Sequence, residues 1–312
     1  MTNQIATRVA YGNALAELGK TNKDIVVLDA DLSKSTNTAT FGKVFPERHF
    51  NCGIAEQNLL GVAAGLAAAG KIPFASTFAV FGAGRAFEII RNSICYPKLN
   101  VKVAVTHSGL TVGEDGATHQ SIEDIAIMRS LPNMTVLCPA DAVETDKMIK
   151  AVVEYNGPVY IRLGRPNLPV ILNEDYKFEI GKSVQLADGK DVTIIAIGIM
   201  VAEAIKAKEE LEKQGIAARV INMSSIKPLD EEAVINAAKD TGAIVTAEEH
   251  SIIGGLGSAV ADVLVKDIYA PLEKVGVKDT FGESGTPAEL LKKYGLTSKE
   301  IVEAAKKSIS RK

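Results

Sequence analysis

Four stretches of this sequence group side chains that can move protons, stack on a flat ring or hold an anion. The first is NCGIAEQN (51–58), where Glu56 is a lone acid opening a helical stretch otherwise made of Ala, Leu, Gly and Val. A first-turn glutamate complements the helix dipole by about 0.3–1 kcal/mol. A carboxyl partly withdrawn from water at such a place is also tuned for proton transfer by desolvation. Taken alone, the residue favours the structural role.

The second stretch, STFAVFGAGRAFEIIRN (76–92), sets Phe78 and Phe81 at a strand-to-helix junction beside Gly82 and Gly84. Aromatic pairs at helical spacing usually belong to a core. In a chain only 5% aromatic, next to glycines and a polar strand end, they also offer a stacking surface. Each such contact adds about 0.5–1.5 kcal/mol beyond burial. The third stretch, HSGLTVGEDGATHQ (107–120), holds His107 and His119, two of the four histidines, around a glycine-rich loop with Glu114 and Asp115. Its spacing is poor for zinc, and its mixture of donors and acceptors suits a hydroxyl-rich substrate better. A helix following His119 would present an N-terminus to an anion. The fourth, IRLGRPNLP (161–169), ends a strand with Arg162 and Arg165, which suit bidentate phosphate binding or a surface ion pair. Arg8 and Ser35 are candidates for further phosphate contacts.

Elements able to position these residues recur along the chain. Ile25–Asp29, Val101–Thr106, Met134–Cys138 and Val159–Arg162 are continuously apolar, as buried parallel strands are. Between them lie helical patterns at Thr7–Leu18, Glu56–Ala69, Gly82–Tyr96, Ile122–Arg129 and Ala142–Tyr155. The alternation predicts βαβ units and a mostly parallel α/β sheet in a first domain spanning 1–165. Gly164, Pro166, Pro169 and Gly181 interrupt it, so 166–186 reads as a linker and 187–312 as a second, smaller α/β domain. In open parallel sheets the site lies beyond the carboxyl ends of the strands. The four polar clusters Asp29–Asp31, Ser76–Phe81, Thr106–Gln120 and Arg162–Arg165 would meet in one crevice there.

The 312 residues carry a net charge of −3, which argues against a nucleic-acid partner. No stretch has the apolar length of a membrane span, and the N-terminus has no signal-peptide pattern. Cys52, Cys95 and Cys138 form neither a zinc pattern nor a disulfide framework, so a reducing cytoplasm is expected.

The stretch GEDGATHQ, with MRSLPNMTVLCPAD downstream of it, resembles the transketolase family. EEHSIIGGLGSAV and FGESGTPAELLKKYG extend the resemblance over essentially the whole chain, as a pyrimidine-binding domain followed by the family's C-terminal domain. The resemblance implies that Glu56 hydrogen-bonds the pyrimidine nitrogen of thiamine diphosphate and activates that cofactor, with His119 as a second catalytic residue. It further implies that Phe78 and Phe81 pack the pyrimidine and that Asp31 lines the cofactor pocket. His107, Asp115 and His119 match contacts to sugar hydroxyls and carbonyl. Arg8, Ser35, His107 and Arg165 match contacts to the sugar phosphate.

Three departures from the single-chain pattern stand out. Gly84 replaces a tyrosine of the aromatic wall, and Gln57 follows the glutamate where a histidine or aromatic is common. The Gly-Asp-Gly motif and downstream asparagine that hold diphosphate and magnesium are absent from this sequence. The resemblance therefore implies a second, N-terminal subunit that supplies the diphosphate site with its Mg2+ or Ca2+, and an assembly of two copies of each subunit. No metal ligands are expected in this chain. 1-Deoxyxylulose-5-phosphate synthase and the β chain of 2-oxo-acid dehydrogenases are rival members of the thiamine enzymes. Glu114 before Asp115 and the LGRPNLP ending lean away from the synthase. A non-catalytic scaffold of the same fold is the remaining alternative, and it would need none of these site residues.

Overall fold

The computed structural model describes residues 4–312. Its strands in chain order are β1 (Gln4–Ala6), β2 (Ile25–Asp29), β3 (His49–Asn51), β4 (Ile72–Ser76), β5 (Lys102–Val105), β6 (Thr135–Leu137) and β7 (Val159–Arg162). They continue with β8 (Asn167–Pro169), β9 (Val184–Ala187), β10 (Val192–Ala196), β11 (Ala218–Asn222), β12 (Ser225–Lys227), β13 (Ile244–Ser251) and β14 (Leu272–Val277). Strands β2, β5, β6, β7 and β10 are buried along their whole length, the condition that continuous apolar runs fulfil when helices cover both faces of a sheet.

The first sheet has seven strands in the order β12-β6-β7-β5-β4-β2-β3, all parallel except β12, which runs antiparallel to β6. Strands β7, β5, β4 and β2 are successive neighbours, so the four polar clusters that follow them lie along one stretch of the carboxyl edge. The second sheet has five strands, β14-β13-β10-β11-β9, with only β9 antiparallel. β1 and β8 form a separate antiparallel pair. One core cluster contains Val136 and Tyr160 of the first sheet together with Ile195, Ile221 and Ile226 from later in the chain, so the two sheets share apolar packing.

Some helices open on a side-chain cap. Asp141 accepts the Glu144 backbone N–H at 2.8 Å to open Ala142–Glu154, and Thr286 with Glu289 forms a capping box before Pro287–Lys293. Two expectations need correction. Gly82–Tyr96 is not one α-helix. A π-helical stretch Val80–Arg85, a short α-helical turn Phe87–Ile89 and a second π-helical stretch Ile90–Cys95 follow one another. Wider π turns re-aim the side chains that they carry, and they occur often at functional sites. No helix starts at His119 either: the next begins at Asp124, beyond a bridge between Ser108 and Ser121 that ties the loop's two ends together. Among the described residues no helix is long and apolar enough to cross a membrane.

Candidate active site

Glu56 is the first residue of the helix Glu56–Ala68 and is only 2% exposed. Its carboxylate is met by Arg85, whose Nη1 donates to Oε2 at 2.8 Å. The same guanidinium lies 4.7 Å from the centre of the Phe81 ring. A half-exposed arginine thus bridges the buried acid and an aromatic face, and the π turn Val80–Arg85 brings both of its ends into reach. Nothing in the residue pattern marks Arg85 as a site residue. It is only a cation shortly after an aromatic pair, and its aim depends on a π turn that residue spacing does not show.

From Phe81 the contacts continue without a break. Phe78 and Phe81 lie nearly parallel with centroids 6.1 Å apart, and the His119 ring stands edge-on to Phe81 at 5.3 Å. Phe78 stacks on His107 at 3.9 Å. His107 follows β5 with φ 56°, a left-handed conformation costing a non-glycine residue about 1–3 kcal/mol. Its Nδ1 shares a 2.8 Å hydrogen bond with the Thr106 hydroxyl. Burial, then the charges of Arg8 and Arg165, push its pKa down to about 3. An unfolded imidazole titrates near 6.5, so the unfolded chain binds the extra proton first. The neutral ring's share of stability is complete above that pH and is lost as pH falls towards about 3. His107 should therefore show no ring titration by NMR between pH 7 and about 5, whereas a midpoint near 6.5 would contradict this placement.

Arg8 and Arg165 lie close enough for their charges to interact, and burial, then the charge of Arg165, lowers the pKa of Arg8. Arg8 donates from Nη1 to the Ser35 carbonyl at 2.6 Å, so Ser35 presents its backbone to Arg8, not its hydroxyl. Arg165 donates to the Val112 carbonyl and pairs with Glu114 at 3.0 Å. Two guanidiniums that repel each other beside a neutral imidazole leave net positive charge, which an anion would offset.

Arg162 is a correction to the phosphate reading of the strand end. It is buried, with Nε donating to Asp124 Oδ2 at 2.8 Å and Nη2 donating to the Glu249 carbonyl at 2.9 Å. Asp31, at φ 62°, accepts from Asn51 Nδ2 at 2.8 Å and returns a backbone N–H to Asn51 Oδ1 at 3.1 Å. Asp115 lies exposed in the turn and has no hydrogen bond or ion pair among the described residues. Through Arg85, Glu56 joins Phe81, Phe78, His119, His107, Arg8 and Arg165 in one string of direct contacts or mutual charge. Ser35 joins through Arg8, and Asp31 and Asp115 stand outside that string. No three His, Cys, Asp or Glu side chains among the described residues are grouped so as to hold a metal ion.

A larger parallel sheet with its polar strand ends on one edge, followed by a smaller parallel sheet, places the chain among doubly wound α/β proteins that bind ligands at the carboxyl edge. The pyrimidine-binding domain of transketolase matches residues 3–170 and the C-terminal domain of transketolase matches residues 181–301. A Methanocaldococcus jannaschii protein described as a transketolase C-terminal section is 54% identical, over 96% of each chain. A 6-deoxy-6-sulfo-D-fructose transketolase subunit of Clostridium sp. is 47% identical over 98% of this chain and 95% of its own. A solved split-gene transketolase, an inactive beta4 tetramer, superposes with a TM-score of 0.93 at 62% identity, covering 98% of this chain and 99% of that one. Rat transketolase is 39% identical over 97% of this chain but only 49% of its own length. This chain belongs to the transketolase family.

Proposed function

We propose that this chain is the C-terminal subunit of a two-chain, thiamine-diphosphate-dependent transketolase. It would move a two-carbon ketol unit from a ketose phosphate such as xylulose 5-phosphate to an aldose phosphate such as ribose 5-phosphate. The near-complete match to separate subunits and the half-length match to rat transketolase support a division of the enzyme into two polypeptides.

One observation carries the reading. Buried Glu56 and the Phe81 face together hold a planar, nitrogen-rich cation, the Arg85 guanidinium. An aminopyrimidine edge offers the same chemistry, a flat ring with nitrogens toward the acid, so the residues present fit the cofactor's pyrimidine end. Thiamine diphosphate, when bound, supplies the centre that stabilises the carbanion in ketol transfer. Glu56 holds or moves a proton at its carboxylate, in a site where burial strengthens that hydrogen bond. Phe78 and Phe81 form the stacking wall, completed without an aromatic ring at Gly84, and Asp31 lines the pocket. His119 and neutral His107 exchange hydrogen bonds with substrate oxygens, and Asp115 is free to accept from a sugar hydroxyl. Arg8, Arg165 and the Ser35 segment take the phosphate. The diphosphate and its Mg2+ or Ca2+ belong in this reading to the N-terminal subunit, with two copies of each subunit in the assembly. Self-association of the split-gene relative supports the dimer. Three free cysteines fit a cytoplasmic enzyme.

The test is the donor dependence of the reconstituted enzyme. Losing a charge-assisted hydrogen bond costs about 1.5–3 kcal/mol, so Arg8→Gln should lower kcat/KM for xylulose 5-phosphate about 10–100-fold. The unphosphorylated ketose should be unaffected, and an equal loss on both donors would overturn the phosphate assignment. A sulfonated ketose is the second reading, favoured by the 47%-identical sulfofructose relative. The same cationic pocket suits either anion, and the same assay ranks the two donors.

A further inference from the structure

The loop that carries Asp115 and His119 is held on both sides by residues far along the chain. Leu110 and Ile122, at its two ends, are buried in the same apolar cluster as Ala247, Val277 and Leu290 of the C-terminal domain. The Thr111 backbone N–H donates to Glu249 Oε1 at 2.6 Å, and the Ser251 N–H donates to the Ile122 carbonyl at 2.7 Å. Gly109 has φ 76°, and a Cβ there would lie 2.3 Å from the Glu249 carboxyl carbon, so the backbone approaches that acid as only glycine allows.

The tip is gripped as well. Gln120 is 4% exposed, and its Nε2 lies within donating distance of the carbonyls of Leu110, Gly113 and Glu283, at 3.1, 3.4 and 2.9 Å. Three carbonyls around one atom fix it as the nitrogen, since an oxygen there would face only acceptors. The Ser284 hydroxyl donates to the Glu114 carbonyl at 2.6 Å, immediately before Asp115. A Cβ on Gly282 would lie 2.0 Å from Gln120 Oε1 and 2.6 Å from Leu110 Cδ2, so the 282–284 segment sits flush on the loop.

We propose that the C-terminal domain, through Gly282, Glu283 and Ser284 closing on Gln120 and Glu114, is a clamp that positions Asp115 and His119 for substrate. Ser284 and Gln120 are positioning residues: they touch the loop's backbone, and their effect on substrate passes through it. An ungripped loop with three positive-φ glycines, Gly109, Gly113 and Gly116, would sample many conformations, and ordering it would weaken binding. The substrate range of the enzyme is therefore set partly by a domain that lies outside the substrate contacts.

This inference rests on the reading of Asp115 and His119 as substrate contacts. Its test compares Ser284→Ala, Ser284→Thr and Gly282→Ala. One readout is hydrogen exchange of residues 110–120 in the full chain, and the other is steady-state kinetics with xylulose 5-phosphate in the two-subunit assembly. One lost hydrogen bond of about 0.5–1.5 kcal/mol corresponds to a two- to tenfold effect. Ser284→Ala should speed exchange of the loop amides and raise KM by that factor with kcat unchanged, and Ser284→Thr should restore both. Gly282→Ala should act in the same direction and more strongly; if it fails to fold, the two serine variants decide alone. Unchanged exchange, or faster exchange with unchanged KM, would overturn the clamp. Asp115→Ala separates the two layers. If it raises KM while Ser284→Ala does not, only the clamp falls; if it and His119→Ala both leave KM unchanged, the substrate reading fails and takes the clamp with it.

Discussion

Replacing Glu56 by glutamine should lower ketol transfer by the reconstituted enzyme about 10²–10⁴-fold, the range typical of a lost acid–base group. The substitution keeps the side chain's size, and its amide oxygen still accepts from Arg85, so the helix start and the aromatic wall keep their packing. What disappears is a carboxyl able to hold or release a proton in a buried site. Folding should be little affected, because the amide still accepts from Arg85 and that half-exposed guanidinium stays hydrated when the acid's charge is lost. The expected pattern is a lower kcat, a KM for both sugars within about a factor of two, and an unaltered urea midpoint. A variant with near-normal kcat would show that Glu56 is the helix-start acid that its sequence context alone suggests.

The largest stability effect is expected at Arg162. This guanidinium is buried against Asp124, whose Oδ2 also accepts from the Tyr160 hydroxyl at 2.8 Å. Removing one partner of a buried pair leaves the other charged and unpaired, which costs about 3–5 kcal/mol. Arg162→Met should lower the unfolding free energy by that amount in urea titrations of the isolated chain. The double variant Arg162→Met with Asp124→Asn should recover part of the loss, because it removes the orphaned charge. A single variant within about 1 kcal/mol of the parent would show that the pair is solvated, and would return Arg162 to the candidate phosphate contacts.

Arg162 and Arg165 also mark where sequence reasoning reaches its limit. Arg162 is the last residue of its strand and Arg165 lies three positions beyond, and residue type alone gives them equal claim to an anion. Their difference is tertiary: Asp124 and the Glu249 carbonyl enclose one, while the other lies past the strand beside Arg8 and His107. The buried strands were legible because helices on both faces demand continuous apolar runs, and Val159–Arg162 falls where those runs place it. The placing of the polar clusters along one carboxyl edge followed from the same alternation. The π turns around and after Phe81 were not legible, since the wider i→i+5 bonding leaves no mark in residue type or composition. Nor was β12, whose three residues gain their strand character by pairing with Val136 and Leu137 far earlier in the chain. Glu56 stood out only through its neighbours, and its contact with Arg85 required the fold.

The most direct test of the account is ketol transfer from xylulose 5-phosphate to ribose 5-phosphate, measured with thiamine diphosphate and magnesium present. Three samples are compared: this chain alone, the N-terminal subunit alone, and the two mixed. The account predicts no turnover from either chain alone and sedoheptulose 7-phosphate formation by the mixture, saturating as the subunits reach equal amounts. Turnover by this chain alone would contradict it.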